Sequence, residues 1–171
     1  MKKFLLGLFS GGILGTALGF AIGIFIYPFI FLAGIEAQET LSEINTTSGE
    51  TRTLLASGEF QHVNPNDRVH WGRGTVSLYQ EPDGKIVVFL EDTFEVGPGP
   101  AYRVYVKDAA GITSKNDFQQ SEGENLGTLR AFKGSQVYEV PDTVSADSIK
   151  SVVIWCEQFS VLISPATLNP S

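Results

Sequence analysis

The sequence is short of the residue types that most metal and redox sites need. It contains one cysteine, Cys156, two histidines, His62 and His70, and a single methionine, Met1. One cysteine excludes an intrachain disulfide and every paired-cysteine motif, including covalent haem attachment. A structural zinc site needs four Cys or His ligands and the chain has three. A blue-copper site is excluded too, because no histidine follows Cys156 and no methionine remains as an axial ligand.

Basic residues are also scarce. The chain has 12 Lys and Arg against 19 Asp and Glu, a formal charge of -7. Nucleic-acid binding is therefore not expected, because phosphates are neutralised by clustered Lys and Arg. The sequence has no Walker loop and no nucleophile elbow, so no motif indicates an independent enzyme.

Charge is absent from a long N-terminal run, Phe4 to Ile35, of 32 residues. A bilayer core of about 30 Å needs about 20 helical residues, so this run predicts a transmembrane helix within residues 1–35. A cleaved signal peptide is the alternative, but its apolar region is about half as long and ends at a small-residue site that is missing here. We expect an uncleaved signal anchor, with a kink or an end at Pro28.

The charges beside this run predict its orientation. Lys2 and Lys3 precede it, and Glu36, Glu39 and Glu43 follow it. Because basic residues stay cytoplasmic, we expect a single-pass membrane protein with a cytoplasmic N-terminus and a periplasmic or extracellular soluble domain.

Glycines recur every fourth residue in the same run. Such a stripe lets a second helix approach closely, which predicts self-association or a helix partner within membrane lipid. The alternative is that glycine is simply common in membrane helices. The stripe consists of Gly7, Gly11, Gly15, Gly19 and Gly23.

The rest of the chain has the texture of an acidic linker followed by strands. Residues 36–53 are polar and acidic, whereas residues 54–171 hold short apolar stretches separated by Gly, Pro, Asn and Asp. Residues 74–79 and 85–91 flank the turn at 81–84 and predict a hairpin. We expect an all-β domain, an antiparallel β-sandwich of seven to nine short strands.

Cys156 ends an apolar stretch at residues 151–156. Alternation puts Ile154 and Cys156 on one face and Trp155 on the other, and apolar residues on both faces predict a central strand. Two alternatives stay open: a buried cysteine that acts as a small hydrophobe, or a partly exposed thiol near a domain end, whose pKa a nearby cation lowers. His70, Arg73 and Arg68 are candidate cations.

Several short motifs of the soluble part resemble the DM-thirteen domain family, described as an electron-transfer domain. They are HWGRGT (70–75), GPGPAYRVYV (97–106), GSQVYEVP (134–141) and IWC (154–156). The resemblance implies a β fold and a redox role for Cys156, and it identifies a membrane-anchored, bacterial-type member. It places the family's histidine element on His70 and Gly74. The chain departs from the family at Ala101, where an acid often follows the Gly-Pro.

The resemblance implies a membrane-tethered, exported electron-transfer accessory module that meets a redox partner protein. Cys156 would be its redox side chain, with His70, Trp155 and Arg73 in support, and the cysteine favours the reactive alternative. The other function that we expect is a non-catalytic envelope module that binds a ligand or a protein. No motif indicates a cofactor, so haem and metal stay open, and a metal would have only Cys156, His70 and His62.

Overall fold

A computed structural model describes residues 2–27, 34–41 and 51–171 of the chain. Helix α1 spans Lys2–Tyr27. Over the described ranges, no helix has both the length and the apolar character that crossing a membrane requires. The structure therefore does not support the transmembrane helix predicted within residues 1–35. Pro28 and linker residues 42–50 lie outside the described residues.

Twelve strands and one short helix follow α1 in the described residues. Three of the strands are only two residues long, and one turn of 3₁₀ helix lies at Ala146–Ser148. The elements are β1 (Glu36–Gln38), β2 (Thr53–Glu59), β3 (Gly72–Arg73), β4 (Thr75–Gln80), β5 (Ile86–Leu90), β6 (Glu95–Val96), β7 (Tyr102–Lys107), α2 (Lys115–Gln120), β8 (Gly123–Thr128), β9 (Lys133–Glu139), β10 (Ser151–Cys156), β11 (Val161–Thr167) and β12 (Asn169–Pro170).

The strands form two curled sheets, which are antiparallel with one exception. The larger sheet has the order β12-β2-β4-β5-β9-β6-β3, and β1 also pairs with β9, in parallel. The smaller sheet has the order β11-β10-β7-β8. We call residues 51–171 the β domain. Its mostly antiparallel β structure confirms the all-β prediction in outline.

The core explains why these strands form. Alternate residues of β4, β5 and β9 face alternate residues of β7, β10 and β11, and together they form one buried cluster. Val76, Val88, Val104 and Val152 in this cluster have no exposed surface. A smaller cluster lies on the other side of β10, where α2 covers Val153 and Trp155. Because β10 is buried on both faces, it is the central strand that the sequence predicts.

The predicted hairpin is confirmed: β4 and β5 pair antiparallel from Val76 with Leu90 to Gln80 with Ile86. Residues 126–132 form an apolar stretch, but only its first half is a strand, because β8 ends at Thr128. The reason is Gln136, whose buried side-chain amide binds the backbone of Arg130 and Ala131 in place of a strand partner.

Two features differ from the sequence prediction. The β domain has eleven strands rather than seven to nine, because two-residue pairings are too short to show alternation. The segment predicted as a linker begins with β1, which pairs with β9 from Glu36 opposite Lys133 to Gln38 opposite Ser135. Its first residues therefore belong to the larger sheet.

Candidate functional site

Cys156 lies at the end of β10, opposite Tyr102 of β7 and Val161 of β11. The residue is 2% exposed, and its thiol donates a hydrogen bond to the Pro100 carbonyl oxygen at 3.2 Å. The hairpin between β10 and β11 turns directly after it. The sulfur is therefore close to an end of the domain but covered.

The surroundings of the thiol favour its protonated form. Burial raises the pKa of Cys156, and the Glu157 carboxylate raises it further. The backbone N–H groups of Phe159 and Gln158 donate to the sulfur and oppose this rise. A raised pKa keeps the side chain a neutral thiol near neutral pH.

The prediction of a partly exposed sulfur with a lowered pKa is therefore wrong. The physical reason for the burial is the β10–β11 hairpin, whose backbone N–H groups face the sulfur and, together with Pro100, cover it. Neither His70 nor Arg73 is among the groups that shift the pKa of Cys156.

The loop before β7 forms the other wall around the sulfur. Residues 97–100 contain no strand, as their two prolines predict. Gly99 approaches the Tyr102 hydroxyl so closely that an added Cβ would lie 2.3 Å from it. Ala101 has a φ of 52°, and its carbonyl accepts a hydrogen bond from the Glu157 N–H at 3.1 Å. Ala101, which occupies the position of the family's acid, thus has a strained backbone and joins the loop to the hairpin through a hydrogen bond.

Tyr102 is close to both Cys156 and the histidine loop at residues 61–71. The phenol is buried, and burial, Cys156 and the Asp67 carboxylate all raise its pKa. Asp67 and Cys156 therefore both lie within electrostatic range of one hydroxyl. The same end of the domain holds the cysteine and the histidine loop.

Asp67 organises the histidine loop. One carboxylate oxygen accepts hydrogen bonds from the N–H groups of Val69 and His70, and the other lies 2.7 Å from His70 Nδ1. His62 Nε2 lies 2.7 Å from the Asp67 carbonyl oxygen. The backbone hydrogen bond from His70 is the main cause that lowers the pKa of Asp67 to about 2.

Asp67 is a functional-loop residue that sequence reasoning missed. Its one signal is the short spacing of an aspartate to N–H groups two and three residues later, which is typical of turns. Both predicted histidines bind Asp67 rather than Cys156. No group of three or more His, Cys, Asp or Glu side chains in the described residues is arranged to hold a metal. His62, His70 and Cys156 thus form no described ligand cluster.

The two other predicted supporting residues lie away from the sulfur. Arg73, on β3, forms an ion pair with Glu95, and its guanidinium lies 5.9 Å from the Trp71 ring centroid. Trp155 faces the opposite side of β10, as alternation predicts, and stacks on Phe118 at 4.0 Å with the rings nearly parallel. Arg73 is therefore not a partner of Cys156, and Trp155 is adjacent to it only along the strand.

Comparison with protein families gives one match. The family model described as "Electron transfer DM13" matches residues 60–168, well over half of the chain. Comparisons with curated proteins and with solved structures gave no match. The matched range includes the histidine loop, the Gly-Pro loop and Cys156. The chain therefore belongs to the DM13 electron-transfer family.

Proposed function

We propose that this protein is a membrane-tethered, exported electron-transfer accessory module whose redox side chain is Cys156. The observation that carries the proposal is the position of the thiol. It is held between the Pro100 carbonyl and the N–H groups of the β10–β11 hairpin, at one end of a domain whose family transfers electrons. It is also the chain's only cysteine.

The burial of the sulfur limits the chemistry that we propose. Exchange with a disulfide needs a thiolate that reaches the partner's sulfur directly. Cys156 is 2% exposed and has a raised pKa, so neither condition is met. We therefore propose that the neutral thiol loses an electron and a proton to an oxidised partner protein that docks at this end of the domain. The module is then an accessory to that partner rather than an independent enzyme.

The tether and its orientation rest on the sequence alone. The uncharged run of 32 residues is long enough to cross a bilayer, and it lies between Lys2–Lys3 and Glu36. In this proposal the uncharged run of residues 4–35 is the anchor, and the β domain is periplasmic or extracellular. The glycine stripe would bind a helix partner, because an added Cβ at Gly11 or Gly15 would meet no described atom within 4 Å.

A non-catalytic envelope module that binds a ligand or a protein is the second candidate. The observation that favours it is the same burial, because a cysteine that is covered and protonated packs as a small hydrophobe. The two candidates differ in whether the sulfur exchanges electrons.

Oxidation of the full chain by an added one-electron oxidant distinguishes the two candidates. Hexachloroiridate(IV), a one-electron oxidant strong enough to oxidise a neutral thiol, should remove about one electron more per chain from the natural protein than from Cys156→Ala. Ser151→Ala is the matched control, because Ser151 is as deeply buried in the same strand and keeps the sulfur intact. Equal electron loss from the natural protein and from Cys156→Ala would leave the binding module as the better account.

Topology has its own experiment. Protease added to sealed right-side-out membrane vesicles should digest the β domain if it is exported. Digestion only after the vesicles are lysed would reverse the orientation, and recovery of the chain in the soluble fraction would remove the tether.

A further inference from the structure

A large open cavity lies between the C-terminal half of α1 and the end of the β domain that holds Cys156. Its volume is about 860 Å³, within the range of small-molecule sites. Phe20 and Tyr27 of α1 line one side, and Pro100, Leu129 and Phe132 line the other. The walls are therefore mainly apolar and partly aromatic.

The cavity lining contains no Asp, Glu, Lys, Arg or His. A carboxylate or phosphate ligand would lose its water there and gain no counter-charge, which is costly. The polar side chains in the lining are neutral ones, and Tyr102, Thr128 and Gln158 among them carry hydroxyl or amide donors. A neutral ligand with carbonyl oxygens matches this set.

The cavity shares its wall with the surroundings of the sulfur. Pro100 lines the cavity, and its carbonyl accepts the hydrogen bond from Cys156. Gln158 lines the cavity, and its backbone N–H donates to the Cys156 sulfur. Tyr102 lines it too and pairs with Cys156 across the strands. A bound molecule would therefore be separated from the thiol by a single layer of residues.

We propose that this cavity binds a neutral, quinone-class ring with an apolar tail. Aromatic side chains on both sides favour a flat ring, the uncharged donors favour its carbonyl oxygens, and the apolar walls favour the tail. The inference rests on the proposed function for its redox meaning, because a quinone is a redox-active ligand suited to an electron-transfer module.

The experiment measures binding of a fully substituted benzoquinone with a ten-carbon tail to the full chain in a nonionic detergent, by calorimetric titration. Full substitution of the ring prevents addition of the thiol. Decanoate, which has a similar tail and a charged head, is the competing ligand. We expect the quinone to bind and decanoate to bind at least about tenfold more weakly, because its charge would be buried without a partner.

Two variants test whether the quinone occupies this cavity. Thr128→Trp fills it, and Gln158→Glu puts a charge in its wall; both should weaken binding at least about tenfold. Gln119→Trp, on the exposed face of α2 and outside the cavity, is the matched control and should bind within about twofold of the natural chain. Circular dichroism checks that each variant folds, and Gln158→Glu keeps the test valid if Thr128→Trp does not.

No quinone binding by the natural chain, or equal binding by all variants, would overturn the inference. Decanoate binding as tightly as the quinone would replace it with an acyl-chain site. These results are separate from those for the proposed function. Cys156→Ala should still bind the quinone, and variants that lose quinone binding should still lose the Cys156 electron to hexachloroiridate(IV).

Discussion

The two faces of β10 hold their side chains in opposite ways. Trp155 is held by rings: it stacks on Phe118, and Tyr105 meets the same Phe118 ring edge-on at 5.1 Å. Cys156, the next residue, is held by backbone: a carbonyl accepts from its thiol and two N–H groups face its sulfur. The Trp155 side chain is thus held by aromatic packing, whereas the Cys156 sulfur belongs to the main buried cluster and also contacts polar backbone groups.

The two faces also differ in how their covers are attached. The cover of Trp155 is α2, which begins at the Ser114 cap and is fixed by Lys107, whose ammonium donates to the Ser121 carbonyl at 2.6 Å. The cover of Cys156 is the β10–β11 hairpin, whose Glu157 N–H binds Ala101. The comparison teaches that adjacent residues of one strand can be held by different contacts, aromatic rings around Trp155 and polar backbone around the Cys156 sulfur. Substitutions on the two sides should therefore have different consequences.

The largest expected effect is on the aromatic face. Trp155→Ala should lower the free energy of unfolding by about 3–5 kcal/mol, because it removes a buried ring and leaves a cavity against Phe118. Urea unfolding followed by circular dichroism measures the loss. The control is Trp71→Ala, which removes the chain's other tryptophan from a half-buried site and should cost markedly less. Equal losses of unfolding free energy in the two variants would show that the stack of Trp155 on Phe118 adds no stability beyond that of a half-buried tryptophan.

The next effect is on the thiol face. Cys156→Ser should cost about 1–3 kcal/mol, because it buries a hydroxyl in place of a weakly polar sulfur. In the natural protein a thiol reagent should label Cys156 slowly at neutral pH, and the rate should rise with denaturant as the hairpin opens. The raised pKa and the burial are the physical reasons. Rapid labelling of the native chain would contradict the buried position of the sulfur.

The smallest effect concerns the loop beside the thiol face. The pKa of Asp67 is lowered to about 2 from 3.8, so its contribution to stability is present above about pH 4 and is lost as the pH falls towards 2. Asp67→Asn should cost about 1 kcal/mol at pH 6, since the side chain is partly exposed. The difference from the natural protein should shrink at pH 2.5.

A double variant sharpens the comparison between the faces. Asp67→Asn and Trp155→Ala should add to within about 0.5 kcal/mol, because the hydrogen-bond partners of Asp67 and the ring partner of Trp155 have no residue in common. A larger coupling would mean that the two faces do not act separately.

Alternation along the chain made much of the fold predictable. The pattern of residues 151–156 correctly predicted a central strand with Cys156 and Trp155 on opposite faces. The turn residues at 81–84 correctly predicted the β4–β5 hairpin. The position of the thiol near a domain end was predictable for the same reason. The burial of the thiol was not predictable, because it depends on backbone N–H groups of the hairpin, and backbone groups do not mark a position in the sequence.

Contacts distant in sequence account for the rest. Asp67 gains its role from two histidines that bind it, and no pattern of residue types marks which side chain they will contact. Helix α2 has six residues, fewer than two turns, so it leaves no amphipathic periodicity to detect. The parallel pairing of β1 with β9 joins segments almost a hundred residues apart, and the acidic composition of residues 36–53 gave no sign of it.

That pairing also determines how the molecule would carry a mechanical load. Beyond β1, the Glu39 carboxylate binds Arg130 and the Val137 N–H, and these hydrogen bonds lower its pKa although burial opposes the shift. Any pull transmitted from α1 reaches β1 before it reaches the core. It would be applied along the strand, so that the backbone hydrogen bonds with β9 and the Glu39–Arg130 pair resist it together, in shear. Tension on the N-terminal helix is thereby delivered first to β9 and the larger sheet, whereas Cys156 belongs to the smaller sheet.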